Sequence, residues 1–306
     1  MEFRRVAKMP SARPGNIYLP CPCLSGEKFK WCCRSGVKEV VRAPPGEPTK
    51  FSHPNCYAGP LSDCSLDISK EHILTHSILK RLTVGKTVNV ANPVFGSADP
   101  KALTPQALGA HVLCARHNNA LPRLDEVGHA FFLRLEQLFR LGIGEKPAAA
   151  RALFNGFDLE RWFLKTTAAQ VASGWGGERT EVPRDWLDII WSNARFGRDD
   201  GLHQIVRTES AASVRVRFSP VTDGDDPTFV GGGFELFGFQ FFIVRTSGKR
   251  WDPRFEAMHR PTAIISEIGA QQFPTDIDFG PGVPSQALLI EMDGRREAGR
   301  VPDAWE

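Results

Sequence analysis

The chain has 306 residues, 42% of them hydrophobic and 24% charged, enough for a substantial core and for more than one domain. Its net charge of +3 is uneven: residues 1–50 hold ten Lys/Arg against four Glu, and residues 51–306 carry a slight acidic excess. No apolar run is long enough to span a membrane, and the first residues lack the apolar stretch of a secretory signal, so a cytoplasmic protein without membrane contact is expected.

The basic head, residues 1–39, suits a nucleic acid or an acidic protein surface, or is simply a solvated arm. All seven cysteines lie between positions 21 and 114. Clustered cysteines in a chain without a secretion signal point to zinc before disulfides. The first four, Cys21, Cys23, Cys32 and Cys33, fall within "CPCLSGEKFKWCC", where a Ser-Gly turn lets four thiolates converge on one tetrahedral ion. A peptide this short has little core, so the metal would supply most of its folding energy. The stretch resembles the SEC-C motif through Cys21, Pro22, Cys23, Ser25, Gly26, Lys28, Phe29, Cys32 and Cys33, with Leu24 where a glycine is common. The resemblance implies a zinc knuckle able to contact a protein or a nucleic acid, and no activity. Residues 40–50, "VVRAPPGEPTK", read as a proline-rich linker.

Residues 51–125 hold the second cluster. Cys56 and Cys64 come from one loop, and Cys114 and His117 follow fifty residues later at C-x-x-H spacing. Three cysteines and one histidine make a set of the closed structural type. His53, three before Cys56, is an alternative ligand. Between the two halves stands "SLDISKEHILTHSIL", with Glu71 and His72 side by side at an apparent helix entrance. Glu71 there is either part of a helix cap with Ser69 or Asp67, or a ligand beside a general base. With Cys56, Cys64, Glu71, His72, Ile73, Leu113, Cys114, His117 and Asn118 in that order, the segment looks like an HNH, or ββα-metal, endonuclease.

That resemblance implies a metal-dependent nuclease hydrolysing phosphodiester bonds, in DNA by preference. His72 would be the general base, Glu71 and Asn118 ligands of a catalytic Mg2+ or Mn2+, and the two cysteine sets structural Zn2+ sites. The chemistry suits the residue types: neutral imidazole accepts a proton near pH 7, and carboxylate and amide oxygens suit hard cations. Departures from the family pattern are Thr75 in place of a proline and Gly109 where the central asparagine belongs. His111 lies near Gly109, Asn89 and Asn92 precede it, and Arg123 is the nearest cation for a phosphate. His76, four residues after His72, would share its face if the helix continued. The alternative is a catalytically degenerate zinc-binding adaptor for nucleic acid or protein.

Residues 126–306 are read as helical, then β-rich, a candidate substrate-recognition region. Leu124, Val127, Phe131, Leu135, Leu138 and Leu141 form an apolar stripe ending at Gly142, with His129 beside it as a structural histidine. "GFDLERWFLKTTAAQVASG" is a second helix with an Asp158 cap, and "PRDWLDIIWSNARFG" a third begun by Pro183; Trp162, Trp186 and Trp191 are core. "SVRVRF" alternates, with Arg215 and Arg217 on its exposed face. "FELFGFQFFIV", residues 234–244, reads as one central strand, and "TAIISEI" and "QALLIEM" as two more. "DGDD" at 223–226 is a turn, and His203 and His259 stand alone. The whole is an α+β protein in three parts: a zinc knuckle, a zinc-stapled HNH-like ββα unit, and C-terminal helices with an antiparallel or mixed sheet.

Overall fold

The computed structural model describes residues 2–6, 16–23, 25–40, 42–44, 46–90, 100–141, 144–145, 149–175, 179–205, 216–223, 226–245, 257–280, 283 and 286–291. Leu24, Asn92, Gly142, Arg215 and the middle of "DGDD" lie outside them. The fold is mixed α+β. No helix among the described residues is long and apolar enough to cross a membrane. The described residues divide into two compact units, one within 2–40, 130–160 and 196–291, the other within 42–129 and 161–195.

The first unit holds two five-stranded sheets. One is mixed. It takes β1 (Glu2–Val6), β6 (Ala152–Asn155), β12 (Ala263–Ile268), β13 (Gln271–Asp278) and β14 (Ala287–Glu291) in the order β1-β14-β12-β13-β6. The β12–β14 and β13–β6 pairs are parallel and the other two antiparallel. The second sheet is antiparallel throughout: β7 (Gly201–Ile205), β8 (Val216–Asp223), β9 (Asp226–Leu236), β10 (Phe239–Val244) and β11 (Ala257–His259), in the order β11-β7-β10-β9-β8.

The apolar run 234–244 is not one strand. It turns at Phe237 and Gly238, with φ of +55° and +88°, so Leu236 pairs with Phe239 across a two-residue hairpin. Two successive positive φ values give the turn that matches strand twist. Phe237 tolerates that backbone because its ring is buried, 4.9 Å from Phe132 and stacked 5.8 Å from Phe139.

Helix α3 (Pro122–Leu141) contains the predicted stripe, with Leu124, Phe131, Leu135, Leu138 and Leu141 buried. Helix α4 (Gly156–Ser173) matches its predicted span but not its predicted cap. Asn155 Oδ1 accepts the Phe157 and Asp158 N–H groups, and Asp158 instead accepts from the Val40 N–H. Buried Arg134 in the first unit donates to Thr275 Oγ1 and to the Ala149 and Pro274 carbonyls, so its charge is not left bare. His203 and His259 do not stand alone: β7 and β11 place them in register, with ring centroids 4.7 Å apart.

The second unit is built on two short antiparallel ladders, β2 (Ile68–His72) with β5 (Gly109–Cys114), and β3 (Val88–Val90) with β4 (Lys101–Leu103). Around them lie α1 (His76–Arg81), α2 (Ala115–Asn118) and α5 (Arg184–Trp191), the last opening after Pro183 as predicted. Trp162 and Trp186 are fully buried and Trp191 nearly so.

Candidate metal centres

Two groups of thiol and imidazole donors converge among the described residues, each with its ligand atoms within 4.8 Å of one another. Both are able to chelate a metal ion.

The first is local. A bridge between Pro20 and Lys28 and the positive φ of Gly26 (+80°) fold the Ser-Gly turn back, and the Cys21 N–H donates to the Glu27 carbonyl. A single 3-10 turn, Phe29–Trp31, then lets Cys32 and Cys33 donate their N–H groups to the Phe29 carbonyl. Cys23 Sγ ends 3.2 Å from Cys21 Sγ and 3.4 Å from Cys32 Sγ, and Cys32 lies 3.5 Å from Cys33. Phe29, 2% exposed, packs with Cys21, Cys33 and Leu153 as a small core of its own. Burial pushes the Cys21 thiol up to about 11, whereas the hydrogen bond with Cys33 brings Cys23 down to about 4, so all four thiolates form together here only against a cation.

The second joins distant segments. Cys56 and Cys64 come from the loop before β2, Cys114 ends β5, and His117 lies in α2. His117 Nδ1 is 3.1 Å from Cys114 Sγ, 3.7 Å from Cys64 Sγ and 3.8 Å from Cys56 Sγ, and all four residues are buried. Backbone donors support the sulfurs: the Cys114 N–H reaches Cys56 Sγ, and the His117 N–H reaches Cys114 Sγ. Burial lowers the His117 pKa to about 4, which keeps the imidazole neutral and able to ligate. Trp191 covers it edge-on at 5.3 Å, and an Asp63–Arg116 ion pair of 2.9 Å braces the loop. His53 is not in the group; its carbonyl accepts from the Cys56 N–H and its Nδ1 from the Asn55 N–H.

The expected catalytic constellation does not assemble. Glu71 and His72 close strand β2 and do not begin a helix, which rules out the capping role as well. The Glu71 side chain is 4% exposed, with Oε1 2.5 Å from Lys165 Nζ. Lys165 also lies 2.9 Å from Asp125 Oδ1. Burial works against the Lys165 ammonium, but the Asp125 and Glu71 carboxylates more than offset it and raise its pKa. Burial raises that of Glu71, and Asp125 adds to the effect against the pull of Lys165. A carboxylate locked to a buried ammonium is a structural ion, not an open ligand for Mg2+ or Mn2+.

The Asn118 side chain donates from Nδ2 to Ser69 Oγ at 2.9 Å, which ties it to strand β2. Residue 109, where a central asparagine would orient the histidine, pairs with His72 across the ladder and is glycine. His111 is exposed, Arg123 pairs with Glu126, and Thr75 donates to Asp125 while accepting from Trp162 Nε1. His72 packs against His76, the rings 4.5 Å apart, and its Nε2 has no hydrogen-bond partner among the described residues. Burial lowers its pKa to about 4. A neutral imidazole without an orienting partner or a neighbouring metal ligand set does not make a nuclease base. The only convergent donor groups among the described residues are the two closed clusters, which corrects the expectation of a metal-dependent endonuclease.

No family model, curated protein or solved structure matches the chain. The spacings that resemble the HNH and SEC-C patterns therefore extend as far as two metal-chelating clusters and no further.

Proposed function

We propose that the chain is a zinc-stabilised binding protein, an adaptor for nucleic acid or protein with no catalysis of its own. One observation carries the reading: each cluster brings together four protein donors, the full complement of a tetrahedral zinc ion, which would leave no position for substrate or water. A set of four thiolates, and one of three thiolates with an imidazole, fit zinc in charge, softness and coordination number. Cys21, Cys23, Cys32 and Cys33 would hold one ion, and Cys56, Cys64, Cys114 and His117 the other. Zinc supplies folding energy there, tying the loop of residues 51–64 to the end of β5.

The order of elements in the second unit supports a degenerate ββα arrangement: paired strands β2 and β5, then α2, with zinc ligands on either side. Its Glu71, Asn118 and residue 109 serve the fold in place of catalysis. The test is plasmid and RNA integrity after incubation with zinc-loaded protein and Mg2+ or Mn2+. Intact substrates at stoichiometric protein are the expected result. Cleavage that disappears in folded His72→Ala would overturn the adaptor reading.

A further inference from the structure

The first metal cluster carries on its outside the most exposed aromatic surface among the described residues. Tyr18 is 58% exposed, Leu19 51% and Trp31 63%. Lys30 Nζ sits 4.2 Å from the ring centroids of both Tyr18 and Trp31, and Lys28 Nζ 5.3 Å from that of Trp31. Two rings thus bracket one ammonium, and a second lies farther out over the Trp31 ring.

These side chains are placed by the cluster's own backbone. The Lys30 N–H donates to the Ile17 carbonyl at 2.9 Å and the Phe29 N–H to the Leu19 carbonyl at 3.0 Å, locking the segments that carry Tyr18 and Trp31 together. Phe29, between Lys28 and Lys30, points inward to the buried thiols, so its neighbours face outward. The Asn16 side chain accepts from the Tyr18 N–H. A rigid platform of exposed rings has already met the ordering cost that a floppy arm would meet on binding. Its surroundings are basic: residues 16–39 hold Lys28, Lys30, Arg34 and Lys38 against Glu27 and Glu39.

We infer that the Tyr18–Trp31 face is a docking surface for single-stranded nucleic acid, with bases stacking on the two rings and Lys28 and Lys30 meeting the phosphates. The inference rests on the adaptor reading above and names its partner. Flat rings beside ammonium groups match unpaired bases on a phosphate chain, since every base has a π-face and every link a negative charge. An acidic peptide would use the two lysines and leave the ring faces idle. A duplex keeps its bases stacked inside and offers the rings nothing.

The test is fluorescence anisotropy of the full zinc-loaded chain with labelled twelve-nucleotide oligo-dT and oligo-U and a duplex of equal length. Zinc content is measured on the same samples. The face predicts salt-sensitive binding of single strands over duplex, at least tenfold weaker in Trp31→Ala and in Tyr18→Ala with zinc content unchanged. Lys28→Gln with Lys30→Gln lowers the salt dependence by about two phosphate contacts. Two zinc ions with no single-strand binding would overturn this inference and leave the adaptor reading standing with a protein partner. Binding unchanged in all three variants, or equal binding of duplex, would also overturn it. Absence of zinc would remove the adaptor reading itself.

Discussion

Lys165 and Glu71 form a buried ion pair, Nζ to Oε1 2.5 Å, with side chains 1% and 4% exposed. Asp125, at 2.9 Å from the same ammonium, makes it a triad of two carboxylates and one lysine. Trp162 and Thr75 extend it, because Trp162 Nε1 donates to Thr75 Oγ1, which donates to Asp125. The residue read from sequence as a metal ligand is thus a member of the polar core of its unit.

Lys165→Met leaves Glu71 buried without its cation. It should destabilise the protein by about 3–5 kcal/mol in urea unfolding, while Lys165→Met with Glu71→Gln recovers most of the loss. A single variant as stable as wild type would mean that Glu71 is not held by this pair.

Gly128 lies inside α3 with the Trp162 indole directly over it, and a Cβ there would overlap the ring. Helix propensity alone favours alanine by about 1 kcal/mol. Overpacking against a fully buried tryptophan reverses the sign, so Gly128→Ala should cost about 1–3 kcal/mol. Thermal unfolding of the two proteins decides between the signs.

Acid sensitivity follows from His203. Burial, with His259 4.7 Å away and Arg260 near, lowers its pKa to about 4; the Gly201 carbonyl accepts from Nδ1 and Asp200 pulls the other way. The folded state therefore prefers neutral imidazole. The stability it contributes is fully present above pH 6.5 and is lost as pH falls toward 4, by about 3 kcal/mol over that window. Urea midpoints from pH 7 to 4 should show this decline, and His203→Gln should make it shallower, leaving the share of His72, whose pKa is also lowered to about 4.

The cysteine clusters were legible because their ligands announce themselves by spacing, and thiolates that must reach one ion leave few pairings. Helices α3, α4 and α5 were legible from apolar periodicity and from Pro183. Glu71 was not, because its partner Lys165 lies far along the chain and nothing local marks a carboxylate as buried. The β10 hairpin had a signal that apolar continuity hid: Gly238 after Phe237, inside a run too long for one strand. Asn155 before Gly156 was likewise a better cap signal than Asp158. The His203–His259 pair depends on strand register, which the two separate histidines do not reveal.

The central claim is that both metal centres are closed and structural. Zinc-edge X-ray absorption of the purified protein tests it most directly. The account predicts seven sulfurs and one nitrogen shared over two ions, with no oxygen scatterer. An oxygen ligand at either ion, or a zinc content of one or less, would reveal an open or missing site and contradict it.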